Sequence, residues 1–168
     1  MKIIGDDIFR LIPQRNPFVM VDEFEATGEN TALTALYVRT DNLFLLSDGT
    51  LAETGLIEHI AQSAAALVGY QQKDLKEPRI GLIGEVKRFA CLHRPKSGQI
   101  VRTNIEFTLT IGNVTVVDGR CCIGDEEIAN AKLILIIVEM LLKLNVMQMF
   151  LQIVNIFATM KVVNVSQE

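Results

Sequence analysis

The strongest pattern in the chain is an alanine-rich apolar run over residues 53–69, in which hydrophobic side chains recur every three or four positions. That spacing places them on one face of an α-helix. Small residues recur along the same run and permit another stretch of backbone to approach closely. The pattern therefore predicts a helix in the core. Its apolar positions are Leu56, Ile60, Ala64, Leu67 and Val68, and its small residues are Ala61, Ala64, Ala65 and Gly69.

Capping and breaking residues indicate where this helix begins and ends. Thr50 and Glu53 have the spacing of a capping box, in which the hydroxyl accepts from a helical amide and the carboxylate reaches back to an earlier one. We therefore expect the helix to begin near Leu51. A polar stretch and Pro78 follow it, so we expect the helix to end near Gln72.

The segments on both sides of the helix are rich in β-branched and apolar residues and are interrupted by Gly, Asp or Asn. Such runs predict antiparallel strands joined by turns. We expect a short helix over residues 6–12, capped by Asp6 or Asp7 and stopped by Pro13, and a loop at 41–49. The expected strands lie at 17–27 and 29–40 before the long helix, and at 80–92, 99–112, 114–124 and 126–138 after it.

This order of elements predicts an α+β fold in which a single antiparallel sheet wraps around one long helix. Length and composition agree with one domain, because 168 residues with 49% hydrophobic side chains can bury a substantial core. We assign the domain to residues 1–138 and an apolar C-terminal extension to residues 139–168.

The extension is predicted to be helical. Residues 144–160 carry no charge, so a membrane span is one alternative. Four amides recur along it, and each is costly in hydrocarbon unless it is paired. The sequence therefore favours a helix packed on the domain or on a partner, with a disordered or atypical terminus as the remaining alternative. The amides are Asn145, Gln148, Gln152 and Asn155.

The net charge of -4 excludes a general attraction to nucleic acid or to an anionic membrane, because both are polyanions. We expect no nucleic-acid partner and no membrane anchor. The N-terminal residues "MKIIGDDIFRLIPQ" lack the continuous apolar core and small-residue cleavage site of a secretory signal. We therefore expect a cytoplasmic protein.

The three cysteines are interpreted as structural thiols, since free cysteine behaves as a small buried hydrophobe. Cys91 is isolated, whereas Cys121 and Cys122 are adjacent and point to opposite faces of a strand, which makes them poor disulfide partners. The sequence contains no CxxC, no HExxH and no other metal-ligand spacing. We expect neither a metal nor another cofactor.

The candidate chemistry lies inside the predicted core helix, where Glu58 and His59 are adjacent. Consecutive helical residues point about 100° apart, so the two side chains do not face the same atom. His59 is interpreted as structural, hydrogen-bonded at a helix–sheet or subunit contact. Two interpretations of Glu58 remain open: a structural carboxylate held by Gln62 one turn later, or an acid/base group whose pKa is raised by burial.

Three segments resemble a known enzyme family: "LIPQRNPFVMVDEF", "GLIEHIAQSAAAL" and "GLIGEVKRFACLHRPKSGQIV". In this order and at this spacing they resemble the signature segments of the FabZ-type 3-hydroxyacyl-acyl-carrier-protein dehydratases, over about residues 8–138. The resemblance implies the hotdog fold and a dimer-based assembly whose sites form between subunits. It also implies acyl thioesters on an acyl-carrier protein, in fatty-acid or polyene-type biosynthesis, as substrates. Glu58 matches the family's catalytic glutamate.

The loop before the helix departs from that pattern. Where the family has a histidine followed by phenylalanine and proline, the chain has "DNLFLLSDGTLAE", and Glu53 stands at the family's glycine. The segment resembles a divergent branch associated with aryl-polyene pathways, whose loop also lacks the histidine motif. β-Elimination requires removal of one proton and protonation of the departing hydroxyl, so the resemblance implies an incomplete catalytic pair.

The resemblance also implies a substrate tunnel and a basic surface that contacts the carrier protein; the basic residues alternatively protect a strand edge against further pairing. Three functions remain open: a dehydratase of low activity, a non-catalytic hotdog subunit of a heteromeric dehydratase, and a thioesterase in which Glu58 activates water. The substrate-binding set is Phe18, Phe44, Gln62 and Phe89, and the carrier-contact set is Lys87, Arg88, Arg94 and Lys96.

Overall fold

A computed structural model of the chain describes residues 1–72 and 79–139. Within them a short 3-10 helix (Gly5–Arg10) and one long helix, α1 (Glu53–Gln71), accompany the strands. The strands are β1 (Lys2–Ile4), β2 (Glu23–Ala26), β3 (Thr31–Tyr37), β4 (Arg79–Cys91), β5 (Ile100–Ile111), β6 (Val114–Ile123) and β7 (Glu126–Glu139).

The strands form one sheet in the order β1-β2-β3-β5-β6-β7-β4, and each neighbouring pair is antiparallel. The helix α1 lies against one face of this sheet and contacts each strand from β2 to β7. Residues Gly55 to Val68 of the helix are buried without interruption. The arrangement confirms the expected α+β fold, with an antiparallel sheet wrapped around a central helix.

Side-chain alternation explains which face of the sheet carries the core. Along β5 the residues Val101, Thr103, Ile105 and Phe107 are buried, and the residues between them are exposed. Successive side chains of a strand point to opposite faces, so one face packs on α1 and the other faces outward.

Two glycines allow the helix to pack closely against its surroundings. A Cβ atom at Gly69 would lie 2.0 Å from the backbone oxygen of Leu11, and one at Gly119 would lie 2.4 Å from Cγ2 of Ile60. Gly69 thus lets α1 abut the N-terminal segment, and Gly119 lets Ile60 of α1 press onto β6. The prediction that small helix residues permit close approach of another backbone is confirmed at Gly69.

The predicted capping box is wrong, because Thr50 and Leu51 form hydrogen bonds outside the helix. The Thr50 hydroxyl donates to Asp48 at 2.6 Å, and the Leu51 amide donates to the Pro95 carbonyl at 2.7 Å. These bonds hold both residues outside the helix. The helix begins at Glu53 after an N-cap residue, Ala52, that makes no side-chain capping bond.

The strand expected over residues 17–27 is shorter than predicted, since β2 begins at Glu23. In the segment before β2, backbone groups form hydrogen bonds with side chains of α1 instead of a neighbouring strand. The Met20 amide donates to Gln62, and the Met20 carbonyl accepts from His59. The N-terminal helix is a 3-10 helix that begins at Gly5 and has no side-chain cap.

The short strand β1 was not predicted, because three residues show too little alternation. The four strands after α1 lie within one residue of their predicted positions at every end. The extension predicted from residue 139 lies, except for Glu139 itself, outside the described residues. Within residues 1–72 and 79–139, no helix is long and apolar enough to cross a membrane.

Candidate functional site

Glu58 lies in the second turn of α1, and its side chain is buried against the core. Its Oε1 accepts a hydrogen bond from Gln62 Nε2 at 2.7 Å. Burial raises the pKa of the carboxyl, and the bond from Gln62 opposes this shift without reversing it. The raised pKa extends the protonated form of Glu58 toward neutral pH, where an acid/base group is useful.

The side chain of Gln62 fixes both Glu58 and the loop before β2. Its Oε1 accepts from the Met20 amide at 2.8 Å, and its Nε2 donates to the Phe18 carbonyl at 2.8 Å as well as to Glu58. Both N–H bonds of the amide are therefore used. The predicted bond between Glu58 and Gln62 is confirmed, and the glutamine holds the carboxyl in one orientation.

Glu58 belongs to a face of α1 that is buried but keeps slight exposure within the single chain. Glu58, Ala61, Ala65 and Val68 retain 6%, 9%, 9% and 4% exposure, whereas Leu56, Ile60, Ala64 and Leu67 are each at 0%. The first four are separated by three, four and three residues, which aligns them on one helical face. We call this set the open stripe of α1.

His59 points away from that stripe, and both of its ring nitrogens are hydrogen-bonded. Nδ1 lies 2.6 Å from the Met20 carbonyl oxygen, and Nε2 lies 2.8 Å from Thr103 Oγ1. A carbonyl oxygen can only accept, so Nδ1 carries the proton. Burial lowers the pKa of the His59 imidazole to about 4, and the neutral ring accepts at Nε2 from the Thr103 hydroxyl. The predicted hydrogen-bonded helix–sheet contact is confirmed.

A chain of buried polar groups extends this contact through the core. Because Thr103 donates its proton to His59, the 3.2 Å contact between Thr103 Oγ1 and Cys121 Sγ is a bond from the thiol to the hydroxyl. Ser63 Oγ bonds the His59 carbonyl at 2.7 Å and lies 2.8 Å from Thr34 Oγ1. Thr34, Ser63 and Thr103 were not predicted from the sequence to belong to this site. Their signal is a polar residue at an inward position of an otherwise apolar strand or helix.

The three predicted substrate-binding phenylalanines lie in different parts of the fold. Phe18 is joined to the site through its carbonyl, which accepts from Gln62. Phe44 packs beside Gly55, about one turn before Glu58. A Cβ atom added at Gly55 would lie 2.7 Å from Phe44 Cβ. Phe89 lies on β4 and packs, half-buried, on the core. The structure therefore brings Phe18 and Phe44 to the N-terminal half of α1, and the substrate roles stay predictions.

The four basic residues of the carrier-contact set are exposed, and two of them are accompanied by carboxylates. Lys87 and Arg88 lie on β4, and Arg94 and Lys96 lie in the segment after it. Lys87 Nζ is 4.0 Å from Glu85, and Arg94 Nη2 is 3.4 Å from Asp48. Exposed pairs of this kind are worth little in stability. Their role in carrier recognition stays a prediction.

The other candidate chemistry in the chain lies apart from Glu58. The imidazole of His93 is exposed after β4, with Nδ1 3.8 Å from a Glu126 oxygen. Cys91, Cys121 and Cys122 are free thiols, and burial raises the pKa of the Cys121 thiol to about 12. Within residues 1–72 and 79–139, no group of three His, Cys, Asp or Glu residues is arranged to hold a metal ion.

The family model described as ApeP dehydratase matches residues 6–145 of the sequence. The chain belongs to the ApeP dehydratase family. This membership agrees with the divergent, aryl-polyene-type branch that the loop sequence resembles. The family match covers the N-terminal segment, α1 with Glu58, and the strands that pack on it. No curated protein matches the sequence significantly.

Solved structures similar to this chain confirm the hotdog fold. The dehydratase heterocomplex ApeI:P from Xenorhabdus doucetiae aligns with a TM-score of 0.72 and 18% identity, covering 85% of this chain and 96% of that one. An uncharacterised protein, PH1136, from Pyrococcus horikoshii has a TM-score of 0.60 and 13% identity over 81% of this chain and 95% of that one. A hypothetical thioesterase with coenzyme A from Streptococcus pneumoniae has a TM-score of 0.57 and 12% identity over 69% and 84%. At these identities the likeness concerns the fold.

Proposed function

We propose that this chain is a subunit of a dehydratase that acts on 3-hydroxyacyl thioesters, and that it contributes Glu58 to a site completed by another hotdog subunit. One observation carries the proposal. Glu58 is a buried carboxyl with a raised pKa on the open stripe of α1, and it accepts a hydrogen bond from the side-chain amide of Gln62, which is not an acid/base group.

The reaction needs two proton-transfer groups. Elimination of water from a 3-hydroxyacyl thioester removes a proton from the carbon next to the carbonyl, breaks the C–O bond at the third carbon and protonates the leaving hydroxyl. A carboxyl with a raised pKa suits protonation of the leaving hydroxyl, since its protonated form can donate to the hydroxyl as water departs. A group opposite Glu58 must then take the carbon-bound proton.

The second group does not come from the histidines of this chain in the geometry described. His59 uses Nδ1 and Nε2 on Met20 and Thr103, and His93 faces Glu126. A second copy of the same chain brings the same loop, "DNLFLLSDGT", which contains no histidine. A different hotdog subunit with a histidine in that loop therefore fits better than a homodimer. The heterocomplex among the similar structures supports this choice.

The remaining predicted site residues take supporting roles in the proposal. Phe18, Phe44 and Phe89 form the apolar wall that binds the acyl chain, and Gln62 orients the Glu58 carboxyl. The exposed basic residues on and after β4 meet an acidic acyl-carrier protein through charge attraction. These residues are Lys87, Arg88, Arg94 and Lys96. We expect the chain to act in the cytoplasm.

The test is an enoyl-thioester hydration assay, the reverse of the elimination, on this chain, on a histidine-bearing hotdog subunit from the same organism, and on the purified mixture. We expect slow or undetectable turnover from this chain by itself and turnover from the complex. Glu58→Gln keeps the shape of the side chain but removes its proton exchange, so it should lower turnover of the complex by roughly 10²- to 10⁴-fold.

A matched control is Glu106→Gln, which changes an exposed carboxylate on β5. It should leave turnover unchanged, and circular dichroism should show that both variants fold. Full turnover in the Glu58→Gln complex would contradict the catalytic role and favour a non-catalytic subunit. Release of free thiol from an acyl thioester, abolished by the same substitution, would instead favour a thioesterase.

A further inference from the structure

The outer face of the sheet, opposite α1, changes from polar to apolar along its length. At one end the outward positions of β5, β6 and β7 carry Asn104, Asp118, Arg120 and Lys132. At the other end, near the β5–β6 turn, the outward positions are apolar. We call this set the hairpin-end patch: Leu109, Ile111, Val114, Val116, Ile134 and Ile136.

Strand register places these six residues on one face. Residues paired across neighbouring strands point to the same side of a sheet. Their alternate neighbours, such as Thr115, Val117 and Leu135, are buried toward the core, so the patch points outward. The patch is built from two cross-strand rows, Leu109–Val116–Ile134 and Ile111–Val114–Ile136.

The patch is exposed and sharply bounded. Leu109, Ile111 and Val114 are 52%, 68% and 37% exposed. The ion pair between Lys132 and Asp118, at 3.0 Å, marks the boundary two residues before the apolar rows begin. The solvated face of an antiparallel sheet is normally polar, and a contiguous apolar patch marks a surface that something covers.

We propose that the C-terminal residues 140–168 of this same chain fold back and cover the hairpin-end patch. Strand β7 supplies Ile134 and Ile136 and runs to Glu139, so the chain continues from the strand that builds part of the patch. The following sequence is apolar and carries no charge over residues 144–160. An uncharged apolar segment matches an uncharged apolar surface, with its amides turned to solvent. This inference goes beyond the proposed function and is independent of Glu58.

The length of the segment fits the surface. As a helix, residues 144–160 would span about 25 Å at about 1.5 Å per residue. The patch crosses three strands at a spacing of about 4.8 Å and extends about two residue pairs along each. A tethered segment also reaches an effective concentration of roughly millimolar, which favours it over a second copy or a membrane surface.

Photo-cross-linking of the full-length chain tests the proposal. A photoreactive amino acid replaces Ile111 in the patch or, as the control, Asn104 on the polar end of β5. We expect Ile111 to cross-link to peptides from residues 140–160, and Asn104 not to do so. Mixing ¹⁴N- and ¹⁵N-labelled chains shows whether each cross-link lies within one chain, and we expect it to do so.

Limited trypsin digestion gives a second measurement, because Lys143 and Lys161 flank the uncharged stretch. Placing a charge in an apolar contact should release the segment, so Ile111→Asp should speed cleavage at Lys143 by about tenfold or more. Asn104→Asp should not, and circular dichroism checks that both variants fold.

Three outcomes would overturn the proposal. Cross-links from Ile111 to a differently labelled chain would assign the patch to a second copy. Flotation with phospholipid vesicles that requires residues 140–168, without the internal cross-link, would assign the segment to a membrane. Equal cleavage of Ile111→Asp and Asn104→Asp chains, without the cross-link, would show that the segment does not cover the patch.

Discussion

Glu58 and His59 are consecutive residues of one helix, yet the fold gives them opposite tasks. Burial acts on both, and it raises the pKa of the acid and lowers that of the base. What separates them is direction. Glu58 lies on the open stripe with an amide partner, and His59 is bonded on both nitrogens between a loop and β5. The catalytic role of Glu58 stays our proposal, whereas the bonds of His59 join the helix to the loop and to β5.

The low pKa of His59 predicts how stability depends on pH. The pKa of histidine is about 6.5 in an unfolded chain, and burial lowers the pKa of folded His59 to about 4. Between these values the unfolded state binds more protons, so the free energy of unfolding falls as the pH is lowered from 6.5 to 4. The full loss attributable to His59 is on the order of 3 kcal/mol.

Urea unfolding of the wild type and of His59→Gln between pH 7 and pH 5 measures this contribution. Glu58, whose folded pKa is raised, acts with the opposite sign, and the comparison removes its effect because both proteins contain it. We expect the variant to be less stable at pH 7 but to lose less stability on acidification. The exposed-site variant His93→Gln serves as the comparison for replacing a histidine that is not buried. Equal slopes for wild type and His59→Gln would refute the buried neutral imidazole.

At the scale of elements, α1 is positioned by contacts that leave no room for a side chain. Gly69 faces the Leu11 carbonyl and Gly119 faces Ile60. The helix is therefore wedged between the N-terminal segment and the sheet, and this fixes the direction in which Glu58 points. Gln62 adds a polar tie from the same helix to residues 18–20.

Gly69→Ala tests this wedge. In a free helix the change should stabilise by about 1 kcal/mol, but here the new methyl group would meet a backbone oxygen at 2.0 Å. We expect the variant to be less stable by about 2 kcal/mol, measured from the urea midpoint at an unchanged m-value.

The control is Gly81→Ala on β4, where the nearest atom to the new Cβ, Ile137 Cδ1, is 3.6 Å away. It should change stability by much less, since that distance is an ordinary van der Waals contact. A Gly69→Ala chain as stable as the wild type would mean that α1 can move away from Leu11 at little cost.

At the scale of the whole molecule, the open stripe of α1 and the incomplete acid/base pair point to assembly. The open stripe keeps 4–9% exposure within the single chain, and in the proposed reaction the second acid/base group comes from another subunit. Association should stabilise the fold by mass action.

We therefore expect light scattering at micromolar concentration to show dimers or larger species, and the melting temperature to rise with protein concentration. Addition of a histidine-bearing hotdog subunit should raise the melting temperature further, whereas an unrelated protein of similar size should not. A persistent monomer whose melting temperature changes neither with concentration nor with the histidine-bearing subunit would count against this assembly.

The sequence by itself determined the elements whose signals are local. The core helix, the four strands after it and the β2–β3 hairpin follow from side-chain periodicity and turn residues. The motif around Glu58 indicated the family. The position of Gln62 one helical turn after Glu58 predicted the hydrogen bond between their side chains. These features depend on residues close together in the chain, so their physics is visible in a short window.

Tertiary structure decided what depends on distant partners. The capping box does not form because Thr50 bonds Asp48 and Leu51 bonds Pro95. The strand expected from residue 17 begins later because the backbone of Met20 bonds side chains of α1. The tautomer of His59 is fixed by the Met20 carbonyl, 39 positions away along the chain. A backbone or side-chain group has few hydrogen bonds to give, and which partner takes them is settled only when the sheet closes around the helix.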